Sequence, residues 1–323
     1  MNRILTLTAV AAMTFLYSCG DDDTETPAPA LPTISVATTV NGTAATSPAD
    51  VVPGDTVVFS ITIDAAGGFN TYRLYSSIDG GTATQISDNT RTILEVAVGT
   101  TTVTDALRTI ISADNVGSTI TSEFEVVDDA GQTGTTSVDL VVGSPAIVTH
   151  TQTMLFGQSN AGGGSFYDAV LDVVYGASDA FQVENQDDID FVFWYGGTSG
   201  YAIGATDDAT AVTAFNAATS PVNLENLQTR NSTKFKGLSA MNAAAFDAIS
   251  NETELLNAYG EVAATDSNII GLDPDDSMSK NVFAFVLAGD RGSKVGLAKV
   301  ISTDDGTGGG AARTITIMVK IQE

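Results

Sequence analysis

The carboxylates are the side chains of this sequence most obviously grouped for chemistry. Asp187, Asp188 and Asp190 fall in one short run, Asp273, Asp275 and Asp276 in another, and Asp207-Asp208 and Asp304-Asp305 are adjacent pairs. Acidic runs in loops supply the oxygen ligands that Ca²⁺ prefers, so Ca²⁺ is the one cofactor these residues could hold. None has EF-hand spacing, because the twelfth position counted from Asp273 is Ala284 instead of Glu. Two carboxylates can also hydrolyse a glycoside, but that requires convergence in one cleft, which abundance does not provide. Trp194, the sole tryptophan, lies close to Asp190 and Tyr201, and Tyr195 and Tyr167 supply further aromatic faces. An indole face with carboxylate and phenol neighbours could stack and hydrogen-bond a sugar. Trp194 also alternates with Phe191, Phe193 and Tyr195, which puts it on the opposite face of a strand, where core packing is the competing use. Arg230, Lys234 and Lys236 form the densest basic cluster; they could grip an anionic ligand or pair internally within a loop.

Nucleophiles are poorly supported. Gly157-Gln158-Ser159-Asn160 resembles the nucleophile block of SGNH-type carbohydrate esterases, in which the serine attacks an acetyl ester. Such a serine needs a later histidine, and the one histidine here, His150, precedes it. A polar, glycine-rich turn is the plainer reading. Gly306-Thr307-Gly308-Gly309-Gly310 lacks the Lys-Ser/Thr of a phosphate loop and reads as a hairpin tip. One Cys and one His exclude a disulfide framework and a Cys/His zinc site. A formal charge of −26, from 39 acidic and 13 basic residues, opposes nucleic acid as a partner.

The single cysteine has a clear context. Met1-Asn2-Arg3 is a short positive segment, followed by an apolar stretch from Ile4 to Leu16 that is too short to span a bilayer. Leu16-Tyr17-Ser18-Cys19 then resembles a bacterial lipobox. Residues 1–18 are therefore expected to be a lipoprotein signal peptide and Cys19 the lipidated anchor, a membrane attachment through acyl chains. Cys19-Gly20-Asp21-Asp22-Asp23 resembles the start of Bacteroidetes-type surface lipoproteins, which implies an outer-membrane address facing outward. Residues 19–32, with Pro27, Pro29 and Pro32, read as an extended tether.

Two folded regions should follow, 33–143 and 147–323. In the first, Val57, Phe59, Ile61 and Ile63 alternate with polar residues, as a half-buried strand does. Phe124 and Val126, a turn at Asp128-Asp129-Ala130-Gly131, and Val138, Leu140 and Val142 predict a hairpin. Residues 104–113 fit either a strand or a short helix. The segments PGDTVVFSITID and VVDDAGQTGTTSVDLVV resemble bacterial immunoglobulin-like and PKD-type repeats, implying an immunoglobulin-like β-sandwich that acts as a spacer. In the second region the alternation from Tyr167 to Tyr175 predicts one strand with a solvated face, and 189–195 and 282–288 predict strands covered on both faces. Residues 295–301 and 314–321 should form a hairpin. Helices are expected over 207–216 and 242–259, with Asp207 and Asn251 as caps. This region resembles a C-terminal module of Bacteroidetes surface lipoproteins that carries no assigned chemistry. The fold class is thus mostly β: an immunoglobulin-like sandwich, then a β-rich domain, β-sandwich or α+β, with short helices. The function expected is a surface-anchored, non-catalytic binding or adhesion module for glycan or protein. A polysaccharide-acting hydrolase and a purely structural envelope protein are the alternatives.

Overall fold

The computed structural model describes residues 29–158, 163–196, 199–216, 223–238, 240–260, 267–272, 282–304 and 313–323. Cys19, Ser159, Asp273, Asp275, Asp276 and the glycine-rich stretch 306–310 lie outside the described residues. Strand is the dominant structure, with short helices.

The first region contains β1 (Thr33–Val40), β2 (Thr43–Ala45), β3 (Ala49–Val51), β4 (Thr56–Asp64), β5 (Phe69–Ile78), β6 (Thr84–Thr90), β7 (Thr102–Ile110), β8 (Thr119–Asp128) and β9 (Thr133–Val142). They make two sheets, β2-β1-β4-β7 and β3-β9-β8-β5-β6. All pairings are antiparallel except β3 with β9. The inward rows of both sheets meet in one apolar core that includes Val57, Phe59, Ile61, Tyr72, Phe124, Val126 and Leu140. Alternation drives this, since each strand places every second side chain on the shared face. The ambiguous stretch 104–113 lies mostly in β7, which pairs with β4 along its full length. Its Thr, Val and Ile content suits a pleated edge, and a 3₁₀ turn at Ala113–Asn115 ends it.

The second region adds β10 (Ile147–Phe156), β11 (Phe166–Asp168), β12 (Val173–Tyr175), β13 (Phe191–Gly196), β14 (Gly200–Gly204), β15 (Lys234–Gly237), β16 (Ile269–Leu272), β17 (Val282–Val286), β18 (Val295–Asp304) and β19 (Thr314–Gln322). Helices α1 (Ala177–Ala180), α2 (Val183–Gln186), α3 (Ala209–Asn216), α4 (Ala243–Ala248) and α5 (Glu252–Tyr259) are inserted among them. The sheets are β10-β19-β18-β17-β15 and β12-β11-β13-β14-β16. Phe191, Phe193 and Ile203 from one sheet meet Phe283, Phe285, Ile317 and Val319 from the other in a central core. A second core lies between Val192, Trp194 and Ala202 of β13 and β14 and the α1–α3 side, through Ala180, Ala211 and Phe215. A third joins Ala284 and Leu297 to Phe246, Leu255 and Tyr259 of α4 and α5. The order is helix, sheet, sheet, helix. That layering explains why β13 and β17 are apolar on both faces.

Three local expectations are corrected. The run from Tyr167 to Tyr175 is a tight hairpin, β11–β12, instead of one strand. Asp168 turns inward and accepts the Val170 and Leu171 amides at 2.9 and 3.1 Å, and Asp172 adopts a left-handed φ of 57°. Residues 242–259 form two helices, capped by Asn242 and Asn251, because the chain extends at Ile249. Helix α3 is capped by Asp208, whose carboxylate accepts the Thr210 and Ala211 amides. Asp207 instead accepts the Asn268 side-chain amide.

Candidate functional site

The chain concentrates its buried charge around Arg291, in the turn between β17 and β18. Its Nη2 donates to Asp168 Oδ1 at 2.6 Å, its Nη1 to Asp188 Oδ1 at 2.6 Å and its Nε to Asp190 Oδ1 at 3.0 Å. Asp168 and Asp190 are fully buried, whereas the Asp188 side chain is 35% exposed. Each carboxylate arrives from a different place: the end of β11, the segment after α2 and the entry to β13. Further bonds lock that entry. Asp190 Oδ2 accepts the Ala169 amide at 2.7 Å, Thr233 Oγ1 donates to the Asp190 carbonyl, and Asn231 Nδ2 donates to the Ile189 and Asp187 carbonyls. Burial pushes the Asp190 carboxyl up to about 6, against the pull of Arg291 and the Ala169 amide. Burial by itself would lower the Arg291 guanidinium; its bond to Asp190 and the three negative charges outweigh this and hold it above its ordinary value. Tyr175 is raised by burial and then by the charges of Asp168 and Asp188. Asp168 Oδ2 is buried without a hydrogen-bond partner among the described residues.

A second arrangement occupies the opposite end of β13. Tyr195 and Tyr201 are cross-strand partners with ring centroids 5.1 Å apart, edge to face. The Arg313 guanidinium lies 4.0 Å from the Tyr195 centroid and 5.3 Å from that of Tyr201, and its Nη1 donates to the Tyr201 hydroxyl at 3.3 Å. Gln158 clamps the Tyr195 backbone, donating to its carbonyl at 2.8 Å and accepting its amide at 3.0 Å. Tyr195 and Arg313 remain partly exposed. The ends of β10, β13 and β18 and the starts of β14 and β19 gather here, as the Phe156–Thr314, Asp304–Thr314 and Gly196–Gly200 pairings require.

The structure redistributes the residues singled out from sequence. Trp194 is fully buried against the helical layer, so its ring presents no face to a sugar. It therefore separates from Tyr201, which points to the other side of the sheet. Asp190 lies at the far end of β13 and serves Arg291. Asp188 joins it, while Asp187 is exposed; among the described residues no group of three His, Cys, Asp or Glu side chains is arranged to hold a metal. Lys234 Nζ donates to Asn268 Oδ1 and Lys236 Nζ to the Tyr259 carbonyl, whereas Arg230 is exposed on the preceding segment. The lysines are thus used within the domain. Sequence reasoning missed Asp168, Arg291 and Arg313; it named Tyr195 as an aromatic face and Gln158 within a polar turn, without the contacts that join them. Asp168 stood in an alternating pattern that looked solvated, and its bond to Arg291 spans 123 residues, beyond any local signal.

No protein-family profile matches the sequence, and no curated protein matches it. Among solved structures, a DUF4466 family protein from Parabacteroides merdae is similar with a TM-score of 0.34 and 13% identity, over 91% of this chain and 100% of that one. A Niemann-Pick type C2 protein from the Japanese carpenter ant aligns at TM-score 0.26 and 5% identity, covering 36% of this chain and 97% of its own. Spo0M, a sporulation control protein from Bacillus subtilis, aligns at 0.25 and 8% identity, covering 54% and 78%. At these scores the likenesses carry no argument about function.

Proposed function

We propose that this chain is an exported, lipid-anchored, non-catalytic binding protein of the bacterial surface, in which the second region contacts a glycan or protein and the first acts as an immunoglobulin-like spacer. The observation that carries the non-catalytic reading is the closure of the Arg291 cluster. The three carboxylates gathered at Arg291 are bonded to its guanidinium, and two of them are shut off from solvent. A hydrolase needs its acid and base open to substrate. Tyr195 and Arg313, partly exposed over buried Tyr201 at the end where several strands terminate, support that end as the contact surface. Its aromatic and guanidinium groups suit sugars or polar peptide. The two-sheet sandwich of residues 33–142 supports the spacer reading, and the lipobox-like Cys19 supports the anchor.

Cell fractionation with Cys19→Ala tests the anchor: the variant should leave the membrane fraction and lose lipid labelling. Glycan arrays and pull-downs with Arg313→Ala test the surface: binding should fall while polysaccharides and acetylated sugars remain uncleaved by the wild type. Robust hydrolysis that disappears with Asp188→Ala would overturn the non-catalytic reading.

A further inference from the structure

Asn268, in the segment that enters β16, has both ends of its carboxamide engaged by groups able to act on them. Lys234 Nζ, from β15, donates to its Oδ1. Its Nδ2 donates to Asp207 Oδ1 at 3.0 Å and to Ser232 Oγ at 3.3 Å. Lys234 lies 34 residues from Asn268 along the chain and Asp207 lies 61 away, so the fold alone assembles the set. The backbone beneath it is fixed. The Asn268 carbonyl accepts the Ala205 amide at 2.8 Å, the Ser267 carbonyl accepts the Phe235 amide at 2.8 Å, and Phe235 and Ser267 form an antiparallel bridge. Lys234, Asn268 and Asp207 are all half-buried.

Other lysines of the domain are held differently. Lys299 Nζ meets the Asp247 carboxylate, and Lys320 Nζ meets backbone carbonyls. Lys234 meets a carboxamide whose nitrogen is in turn bonded to a carboxylate. An amine at the carbonyl, a proton carrier on the leaving nitrogen and an electrophilic carbon between them are what the exchange of one amide for another requires. Holding amine and carboxamide in contact makes the attack intramolecular, which removes most of its entropic barrier.

We propose that Lys234 and Asn268 become joined by an isopeptide bond, with Asp207 carrying a proton to the departing nitrogen. The Lys234 ammonium first gives one proton to solvent, and the amine lone pair attacks Cγ of Asn268. The attacking nitrogen then sheds a second proton, Nδ2 receives one by way of Asp207, the Cγ–Nδ2 bond breaks, and ammonia leaves. One amide replaces another, so no oxidant, nucleotide or cofactor is consumed. β15 and β16 are edge strands of the two different sheets, so the bond ties one sheet to the other. A chain with one cysteine cannot make such a tie through an internal disulfide. The cross-link restricts the unfolded chain in the same way. This modification stands independently of what the second region contacts.

Peptide mapping of the full chain tests it. Trypsin cuts after Arg230, Lys236 and Lys280, and it does not cut at a lysine whose Nζ is acylated, so the bond leaves 231–236 attached to 237–280. The joined species should be about 17 Da lighter than the two peptides together, through loss of one ammonia. It should be absent from Lys234→Arg, whose melting temperature should fall. In a time course after synthesis, Asp207→Asn should slow joining by about a hundredfold, and Asp207→Glu, which keeps a carboxylate, should restore it in part. The map of the wild type decides the bond even where a variant does not fold. Unjoined peptides from the folded wild type would overturn the proposal. So would the same mass loss confined to 237–280, which marks a succinimide at Asn268 with no bond to Lys234. Joining at the wild-type rate in Asp207→Asn would overturn the part given to Asp207.

Discussion

Arg291 shows what one side chain contributes when three carboxylates depend on it. The guanidinium is planar and carries five donors, so it can serve three acids at once where a lysine could not. Removing it leaves negative charges in a buried site with nothing to offset them. Arg291→Ala is therefore expected to lower unfolding free energy by about 3–5 kcal/mol, read from urea denaturation; a loss below 1 kcal/mol would mean the cluster is incidental. Asp190 adds a pH dependence. Its folded value, pushed up to about 6, exceeds the ordinary carboxyl value of 3.8. The folded state thus holds this proton more tightly than the unfolded state, and stability from this group is present at low pH and lost as pH rises through 6. Asp190→Asn keeps the shape and removes the titration. Between pH 5 and pH 7 the wild type should lose stability relative to Asp190→Asn, by an amount on the order of 1–2 kcal/mol. A difference that stays constant across that range would contradict the shift.

At the level of elements, buried charge and small residues decide where helices and strands can sit. Lys320 on β19 is only 5% exposed and donates to the carbonyls of Phe246, Asp247 and Ile249 where α4 ends. These carbonyls face out of the last turn of α4, where that of Phe246 also accepts the Ile249 amide, and a cation is the right complement to them. Burial lowers the Lys320 ammonium from its ordinary value, while the Asp247 charge acts in the opposite sense. Lys320→Met keeps the packing and drops the donors, so α4 should fray at its end and stability should fall by about 1–3 kcal/mol. Amide exchange at 246–250 would report it; unchanged protection there would remove the lysine from this role. Gly204 has a similar structural logic. A Cβ there would stand 2.8 Å from the Trp194 ring on the neighbouring strand. Gly204→Val is expected to force the indole out of place and cost about 1–3 kcal/mol, with a shift in Trp194 fluorescence as its signature.

Across the whole molecule, buried apolar residues divide into sets that do not mix. One set spans Ile34 to Val142, and the others begin at Leu155 and end at Ile321. The short connection between them is tied to the second set: the Pro145 carbonyl accepts the Glu252 amide and Ser144 Oγ accepts the Thr253 amide. A fragment of residues 144–323 should consequently fold by itself, with a melting temperature within a few degrees of the matching transition in the full chain. A molten or aggregated fragment would show that the first sandwich supports the second.

Local hydrophobic pattern was enough to predict β4, the β8–β9 hairpin, the doubly covered β13 and β17 and, with the glycine-rich stretch between them, the β18–β19 pairing. Alternation marks β4, β8 and β9, and a continuous apolar run marks β13 and β17; both are properties of the local chain. Asn251 as a helix cap was legible for the same reason, because its side chain acts a few residues away. The Arg291 cluster and the Tyr195–Arg313 contact were not legible. Asp168 and Leu171 sit in one alternating run, yet the first is fully buried and the second 64% exposed, because a turn folds the run back on itself. That α3 is among the elements covering Trp194 was equally hidden, because a helix's position along the sequence says nothing of which sheet face it covers. Burial and charge pairing over a hundred residues are settled by how layers stack, and that is a property of the tertiary fold and of no single stretch of sequence.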